Sequence, residues 1–501
     1  MVRDQVQAYY FATGMGADAF VIATRIPTLL RDLFAEGAMS AAFVPTVSSY
    51  LEKGGKPAAW RLGSQVINAL LIVTALLVVV GIALAGPITW AYTSEKYHAI
   101  PGKMPLTIML TRVNMPFLLL IAIAAAFMGM LNALRRFIAP ALAPTMYNVV
   151  FIACTVVFVP VFTALGIEPV MALSMGMLLG GVAQVVSQWP ALRAEGYRHQ
   201  WTLDWKDPGL RQVLMLMGPG SIGVAAAQVN ILVNTLLATK IAGAASALSY
   251  AFRLMYMPVG IFGVSIATAA IPELARQAAT ESYEDMRKTL SWGMRLMLVI
   301  SVPASVGMMV LSTPIIELIY KYGKFGPDDV FKVAQSLLYY APGIVGYSLV
   351  KILSPSFYSM RDARTPVAVS MITILTNLIL NYALVQRLGF QGLALGTAIA
   401  ANVNAGLLFF LLSRRLKGLD GAHVLGVLTR VVIASAAMAI AAYFTESQLH
   451  RFFPAEHFSA RLIRVFGGIG AGVAVFATSA WLLRIEEFRD AVARIVRKVK
   501  R

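Results

Sequence analysis

Five charged residues stand inside one stretch of this chain that is otherwise apolar enough to cross a bilayer. They are Asp18, Arg25, Arg31, Asp32 and Glu36, in DAFVIATRIPTLLRDLFAEGAMSAAFVP (18–45). Wound as a helix, Asp18, Arg25, Asp32 and Glu36 fall within about 40° of one another, with Arg31 about 100° from Asp32. Pro27 introduces a kink that shifts these angles. Each charge costs about 2.5–3.5 kcal/mol at the centre of a membrane helix. A span that keeps five of them turns them toward water, so a polar path through the membrane is the first expectation.

Composition agrees. The 501 residues are 58% hydrophobic and 13% charged, with mean hydropathy +0.72. A soluble domain carries about 25% charged residues, so this is a polytopic membrane protein. The net charge of +18 then reflects basic loops beside anionic lipid, and no nucleic acid is expected as a partner. A single cysteine, Cys154, excludes an intrachain disulfide and a cysteine-based zinc site. The five histidines fall in or near loops and make no metal pattern. No apolar region before a small-residue cleavage site follows MVRDQVQAYYF, so no cleavable signal peptide is expected. About a dozen residues separate Asp4 from Gly16, against about 20 needed to span, and the first helix is expected to be truncated.

Twelve charge-poor runs between residues 64 and 483, with the short first helix and the charged helix over 18–50, predict an all-α protein of fourteen transmembrane helices. Lysine and arginine alternate by loop, 24 on one side and 9 on the other, which places the basic loops and both termini in the cytoplasm. The chain also repeats itself. Arg25 and Arg253 are 228 apart, Pro45 and Pro272 are 227 apart, and Pro140 and Pro366 are 226 apart. NALRRFIAP (132–140) and YSMRDARTP (358–366) share an arginine five residues before a proline. The expected organisation is two six-helix lobes, 1–200 and 201–417, with a site between them, then helices 13 and 14 and a basic tail over 418–501. The tail EEFRDAVARIVRKVKR reads as an amphipathic helix lying on the cytoplasmic leaflet.

The segment 18–45 strongly resembles the MurJ/MviN family of lipid II flippases, within the multidrug/oligosaccharidyl-lipid/polysaccharide exporter superfamily. The likeness continues through LNALRRFIAPALAPTMYN (131–148), LSYAFRLMYMPVGIFGVSIATAAIP (248–272), YKYGKF (320–325) and VKILSPSFYSMRDARTPV (350–367). The resemblance implies fourteen helices around a central cavity and transbilayer movement of undecaprenyl-pyrophosphate-linked disaccharide-pentapeptide. It also implies a groove for the prenyl tail formed by helices 13 and 14. Three departures stand out. About twenty residues that the family has before the pair matched by Arg3–Asp4, including a cavity arginine, are absent. Asp32 replaces a basic residue. Phe252 and Tyr256 stand where many members carry acids on either side of the helix-8 arginine.

Arg253 is alone in an apolar run with no acid within seven residues. A guanidinium fork suits a pyrophosphate, and the alternative is that it snorkels to a membrane face. Arg25 and Arg31 share that rationale, and Arg3 gains it mainly through the family match, so all four are candidate substrate-binding residues. Asp4, Asp18 and Glu36 are candidates for cavity pairing or gating, with a plain helix N-cap as the alternative for Asp18. Asn234, Asn377, Asn381 and Thr397 make a weak candidate cation site; interhelical hydrogen bonding is the stronger reading. Lys351 stays open between a functional and a structural role. Arg135, Arg136, Arg361 and Arg364 chiefly fix topology.

The expectation is a non-enzymatic inner-membrane flippase working by alternating access. Its partners would be lipid II and membrane lipids, with the peptidoglycan-synthesis machinery as a further candidate, and it would act as a monomer. No cofactor or resident metal is expected; a coupling ion (Na+ or H+) or the membrane potential would supply energy. The rival within the superfamily is an O-antigen-type lipid-linked oligosaccharide flippase or a cation-coupled drug exporter. The latter should line its cavity with carboxylates and aromatics rather than arginines. A prenyl-lipid transferase would need an acidic or histidine cluster at a membrane face, and none is found. A scaffold for the cell-wall machinery leaves the intramembrane charges unexplained.

Overall fold

Prolines and glycines decide where the apolar runs break into separate helices. The computed structural model describes residues 1–32, 38–454, 457–490 and 493; the side chains of 38–41 and 216–227 lie outside that description, as does all of Glu36. The chain divides into two units, Met1–Ser246 and Ala247–Arg501.

The first unit contains α1 (Val2–Phe11), α2 (Met15–Ala23), α3 (Arg25–Arg31), α4 (Ala38–Ala83), α5 (Ala85–Ala91) and α6 (Glu95–His98). It continues with α7 (Lys103–Asn114), α8 (Phe117–Ala133), α9 (Ile138–Ala164), α10 (Met171–Ala194) and α11 (Pro208–Ala238). Gly55, at φ 69°, breaks α4 between the end of the charged segment and the next apolar run. Pro116 falls where α7 stops and α8 begins. Asp207 caps α11, accepting from the Gly209 and Leu210 amides at 2.9 and 3.1 Å, with Pro208 at the first helical position. Phe43, Trp60 and Leu62 of α4 pack with Met130 and Leu131 of α8 and with Tyr197 as one buried cluster.

The second unit contains α12 (Ala244–Pro258, whose first turn belongs to the first unit), α13 (Val264–Ala279), α14 (Tyr283–Val310), α15 (Ser312–Tyr320) and α16 (Pro327–Tyr340). It ends with α17 (Gly343–Ser359), α18 (Arg364–Leu388), α19 (Phe390–Arg415), α20 (Gly421–Phe452) and α21 (Phe458–Leu482). Directly after Pro258 the backbone widens into a π-helical turn, Val259–Gly263, before α13 continues the span.

The all-α class holds: no strand occurs among the described residues. Ten helices there, or eleven if the pair α16–α17, bent by 47°, is one span, are long and apolar enough to cross a membrane. That is fewer than the fourteen expected. The three expected spans outside this set are α1, of 10 residues, the charged segment, cut into α2 and α3 of 9 and 7 residues, and α11, which contains the side chains 216–227 outside the description.

The internal repeat is visible in the backbone. Arg135 and Arg361, 226 positions apart, both take left-handed conformations, at φ 58° and 59°. Gly55 and Glu281, also 226 apart, do the same at 69° and 55°. The first pair closes α8 and α17, which end 226 residues apart at Ala133 and Ser359. The next residue of each turn makes an ion pair with a later helix end, with reversed charge. Arg136 bonds Glu195 at 2.8 Å, whereas Asp362 bonds Arg415. Hydrogen bonds from Lys56 and Arg136 hold the Glu195 carboxyl below its ordinary range, and donation from Thr365 does the same for Asp362. Both carboxyl pKa values are depressed, so these ties are complete above the ordinary carboxylate range and are lost only as pH falls through the lowered values.

Small residues let helices approach closely in the second unit. A Cβ on Gly346 of α17 would lie 2.5 Å from the Ala401 backbone of α19, which has no flexible atom to yield. Gly406 of α19 meets nothing within 4 Å. Gly346→Ala should therefore destabilise the purified protein by about 1–3 kcal/mol, with Gly406→Ala near neutral. Thermal melts in detergent check this, and equal effects would contradict it.

Candidate functional site

The Asp18 carboxylate is 2% exposed and fully engaged. Lys103 Nζ, also 2% exposed, donates to Oδ2 at 2.9 Å, and the Gly243 amide donates to the same oxygen at 2.7 Å. The Ser246 amide and hydroxyl donate to Oδ1 at 3.0 and 2.7 Å. Asp18 thus caps the start of α12 from α2, a cap supplied by a distant helix, where the dipole favours a negative charge. Lys103 also lies over the Tyr97 ring, 4.4 Å from its centroid, and the Tyr97 hydroxyl meets Thr107 at 2.6 Å. One buried carboxylate therefore ties α2, α7 and the first turn of α12 together. Its basic partner is a lysine, not one of the candidate arginines.

The three candidate arginines of this unit lie on two short helices, Arg3 on α1 and both Arg25 and Arg31 on α3. Arg3 on α1 bonds Asp4 at 3.4 Å and stacks over Phe151 and Tyr147 of α9, at 5.4 and 5.9 Å from the ring centroids. Asp4 is 3% exposed and lies 3.7 Å from the chain's amino group. Arg25 opens α3, half-buried, within electrostatic reach of Tyr92. Arg31, at the end of α3, donates twice to Asp32 Oδ1, at 2.9 and 2.7 Å, and Gln228 of α11 donates to Asp32 Oδ2 at 3.0 Å. Asp32, which replaces a basic residue of the family pattern, thus orients Arg31 directly. Glu36 lies outside the described residues.

In the second unit, Arg253 is exposed on α12, within electrostatic reach of Tyr320. Asn377 of α18 donates to Thr397 of α19 at 3.3 Å, and Asn381 donates to Asn377 at 3.0 Å. Asn234 belongs to α11, in the first unit. The three second-unit residues thus form a hydrogen-bonded ladder linking α18 to α19. No group of three or more His, Cys, Asp or Glu side chains suited to a metal occurs among the described residues.

An apolar groove of about 510 Å³ runs beside α14, α20 and α21, lined by Pro303, Gly307, Met438, Gly468, Gly472 and Phe476 among others. Ion pairs fasten its helices at both ends. Near one end, Arg464 bonds Glu446 at 3.0 Å and Glu317 at 3.1 Å, and Lys321 bonds Glu317 at 2.8 Å. Near the other, Arg295 forms an ion pair with the buried Glu487, 2.9 Å apart. Lys103, Glu317, Glu446 and Arg464 were not singled out by the sequence. Their residue types are visible there, but the partners are far apart, 85 positions for Lys103 and Asp18 and 147 for Arg464 and Glu317.

The model of the family described as "Lipid II flippase MurJ" matches residues 7–462. A probable lipid II flippase MurJ of Vibrio cholerae is 31% identical, over 98% of this chain and 94% of that protein. A lipid II flippase MurJ of Burkholderia cenocepacia is 34% identical, over 83% of this chain and 80% of its own. Among solved structures, a lipid II flippase MurJ in an inward closed conformation superposes with a TM-score of 0.77 at 26% identity, covering 96% of both chains. An inward-facing multidrug-resistance transporter of the MATE family shares the fold, with a TM-score of 0.68 at 14% identity.

The Asp18 cluster makes a graded prediction. Breaking one side of a buried ion pair typically costs about 3–5 kcal/mol because the other charge is stranded. Lys103→Met leaves the carboxylate three other donors, so it should destabilise less than Asp18→Ala, which strands the ammonium and uncaps α12. The double variant should lose less than the sum. Denaturation of the three purified variants checks this; additive losses, or a larger loss for Lys103→Met, would contradict the arrangement.

Proposed function

The chain belongs to the lipid II flippase MurJ family, and from that premise we propose that it carries lipid II from the cytoplasmic to the periplasmic leaflet by alternating access. It is a multi-pass inner-membrane transporter. The observation that carries the reading is the family match over nearly the whole chain, including the segments that hold Arg25, Arg31 and Arg253.

The chemistry agrees with that cargo. A pyrophosphate is a dense, multidentate acceptor, and guanidinium groups present planar forks of donors that match it. Arg3, Arg25, Arg31 and Arg253 would take it, with Asp4 and Asp32 orienting Arg3 and Arg31. The prenyl tail would lie in the apolar groove beside α20 and α21, where it stays out of water while the headgroup moves through a polar path. The basic loops and both termini face the cytoplasm in this reading. The start of α7 at Lys103 and Gly243, just before α12, then lie on the periplasmic side, and the Asp18 cluster with them. A drug exporter for organic cations shares the fold but would want carboxylates where this chain places arginines.

Arg253 separates charge from shape. Arg253→Ala should abolish complementation of a flippase-depleted bacterium while the protein still inserts at normal abundance, and Arg253→Lys should retain partial function. Full growth on Arg253→Ala at normal abundance would remove this residue from the mechanism.

A further inference from the structure

At the two positions where the family commonly carries acids around the helix-8 arginine, this chain builds an aromatic surface. Phe252 and Tyr256 of α12 stack at 5.8 Å between ring centroids; Phe252 meets Tyr340 of α16 at 5.5 Å and Tyr347 of α17 at 6.1 Å. Tyr256 meets Tyr347 edge to face at 5.8 Å, and Lys351 Nζ lies 5.7 Å from the Tyr256 ring centroid. Phe252, Tyr256, Tyr347 and Lys351 are all half-exposed. The cluster lies deep in the spans. Tyr256 is roughly 18 Å along α12 from Ala244, and Lys351 roughly 12 Å along α17 from Ser359, at 1.5 Å per residue.

Packing alone does not account for this arrangement. Among the described residues, neither the Tyr256 nor the Tyr347 hydroxyl makes a hydrogen bond, and the Lys351 ammonium has only the Tyr256 ring. Two hydroxyls and a cation at that depth are costly in hydrocarbon, so they border polar space that a ligand can enter. Arg253 precedes Tyr256 by three residues, which places the two on neighbouring positions of one helix face. A ring face bordered by a cation and hydroxyls suits a pyranose. The sugar's C–H face lies on the π cloud, and its hydroxyls reach the ammonium and the phenols.

We propose that Tyr256, Tyr347 and Lys351 form a sugar subsite that holds the glycosyl unit next to the pyrophosphate bound at Arg253. The proposal rests on the transport reading above and names the part of the headgroup that this chain contacts with aromatic rings rather than carboxylates.

The test compares two probes on the full-length protein in nanodiscs: undecaprenyl pyrophosphate, and the same lipid carrying the disaccharide-pentapeptide. Tyr256→Ala should weaken binding of the glycosylated lipid about tenfold and leave the bare pyrophosphate lipid unchanged. Tyr256→Phe should recover most of the loss, and Lys351→Met should weaken the glycosylated lipid alone. Arg253→Ala should weaken both probes. Equal losses for both probes in Tyr256→Ala would mean a structural role and overturn the subsite, as would unchanged binding of the glycosylated lipid. If the wild-type protein binds neither probe, the transport reading itself falls, and the subsite with it.

Discussion

A carboxylate removed from water in a bilayer-spanning chain must be satisfied on every side, and Asp18 shows how this protein does it. Its two oxygens accept from an ammonium, two backbone amides and a hydroxyl, all within 3.0 Å. In low dielectric such contacts are strong when complete and costly when one is missing. The arrangement of α2, α7 and the start of α12 follows from that requirement. The amides it recruits are those a helix N-terminus leaves unpaired, so the same contact that stabilises the charge also starts α12.

The other intramembrane charges are treated in distinct ways. Arg31 and Asp32 compensate each other as sequence neighbours, with Gln228 steadying the acid. Arg3 combines an adjacent acid with two aromatic faces. Arg464 is tied to two glutamates on two different helices, which fastens α21 to α15 and α20. Arg253 has no acid in its own helix neighbourhood, because Phe252 and Tyr256 replaced the ones the family pattern carries there. Lys103 and Arg464 thus fasten helices to one another, whereas Arg253 is exposed on α12. Transport needs some cations that can exchange partners without dissolving the fold.

Much of this was legible in the sequence. Apolar periodicity gave the all-α membrane class, and the arginine–proline repeat anticipated matched turns at Arg135 and Arg361. The asparagines of α18 already suggested interhelical hydrogen bonds, because an uncharged amide pair at i, i+4 suits a neighbouring helix better than a bare cation. Partners were not legible. Lys103 stands at the edge of an apolar run and reads as an ordinary loop charge until Asp18 is placed beside it. Helix boundaries inside the charged segment were also beyond a wheel diagram, because that segment does not run as one straight helix: α2 stops at Ala23 and α3 begins at Arg25. The fourteen-helix count needs α1, the segment of α2 and α3, and α11 as spans, which the ten or eleven helices long and apolar enough among the described residues do not include.

The central claim is that this chain moves an anionic, prenyl-linked glycolipid across a bilayer. Reconstitution of the purified protein into vesicles with fluorescent lipid II, followed by a membrane-impermeant quencher, measures that movement directly. The account predicts that wild-type protein brings the inner-leaflet label within reach of the quencher far faster than protein-free vesicles do. Label that stays protected at the protein-free rate, in vesicles whose protein is folded and inserted, would contradict it.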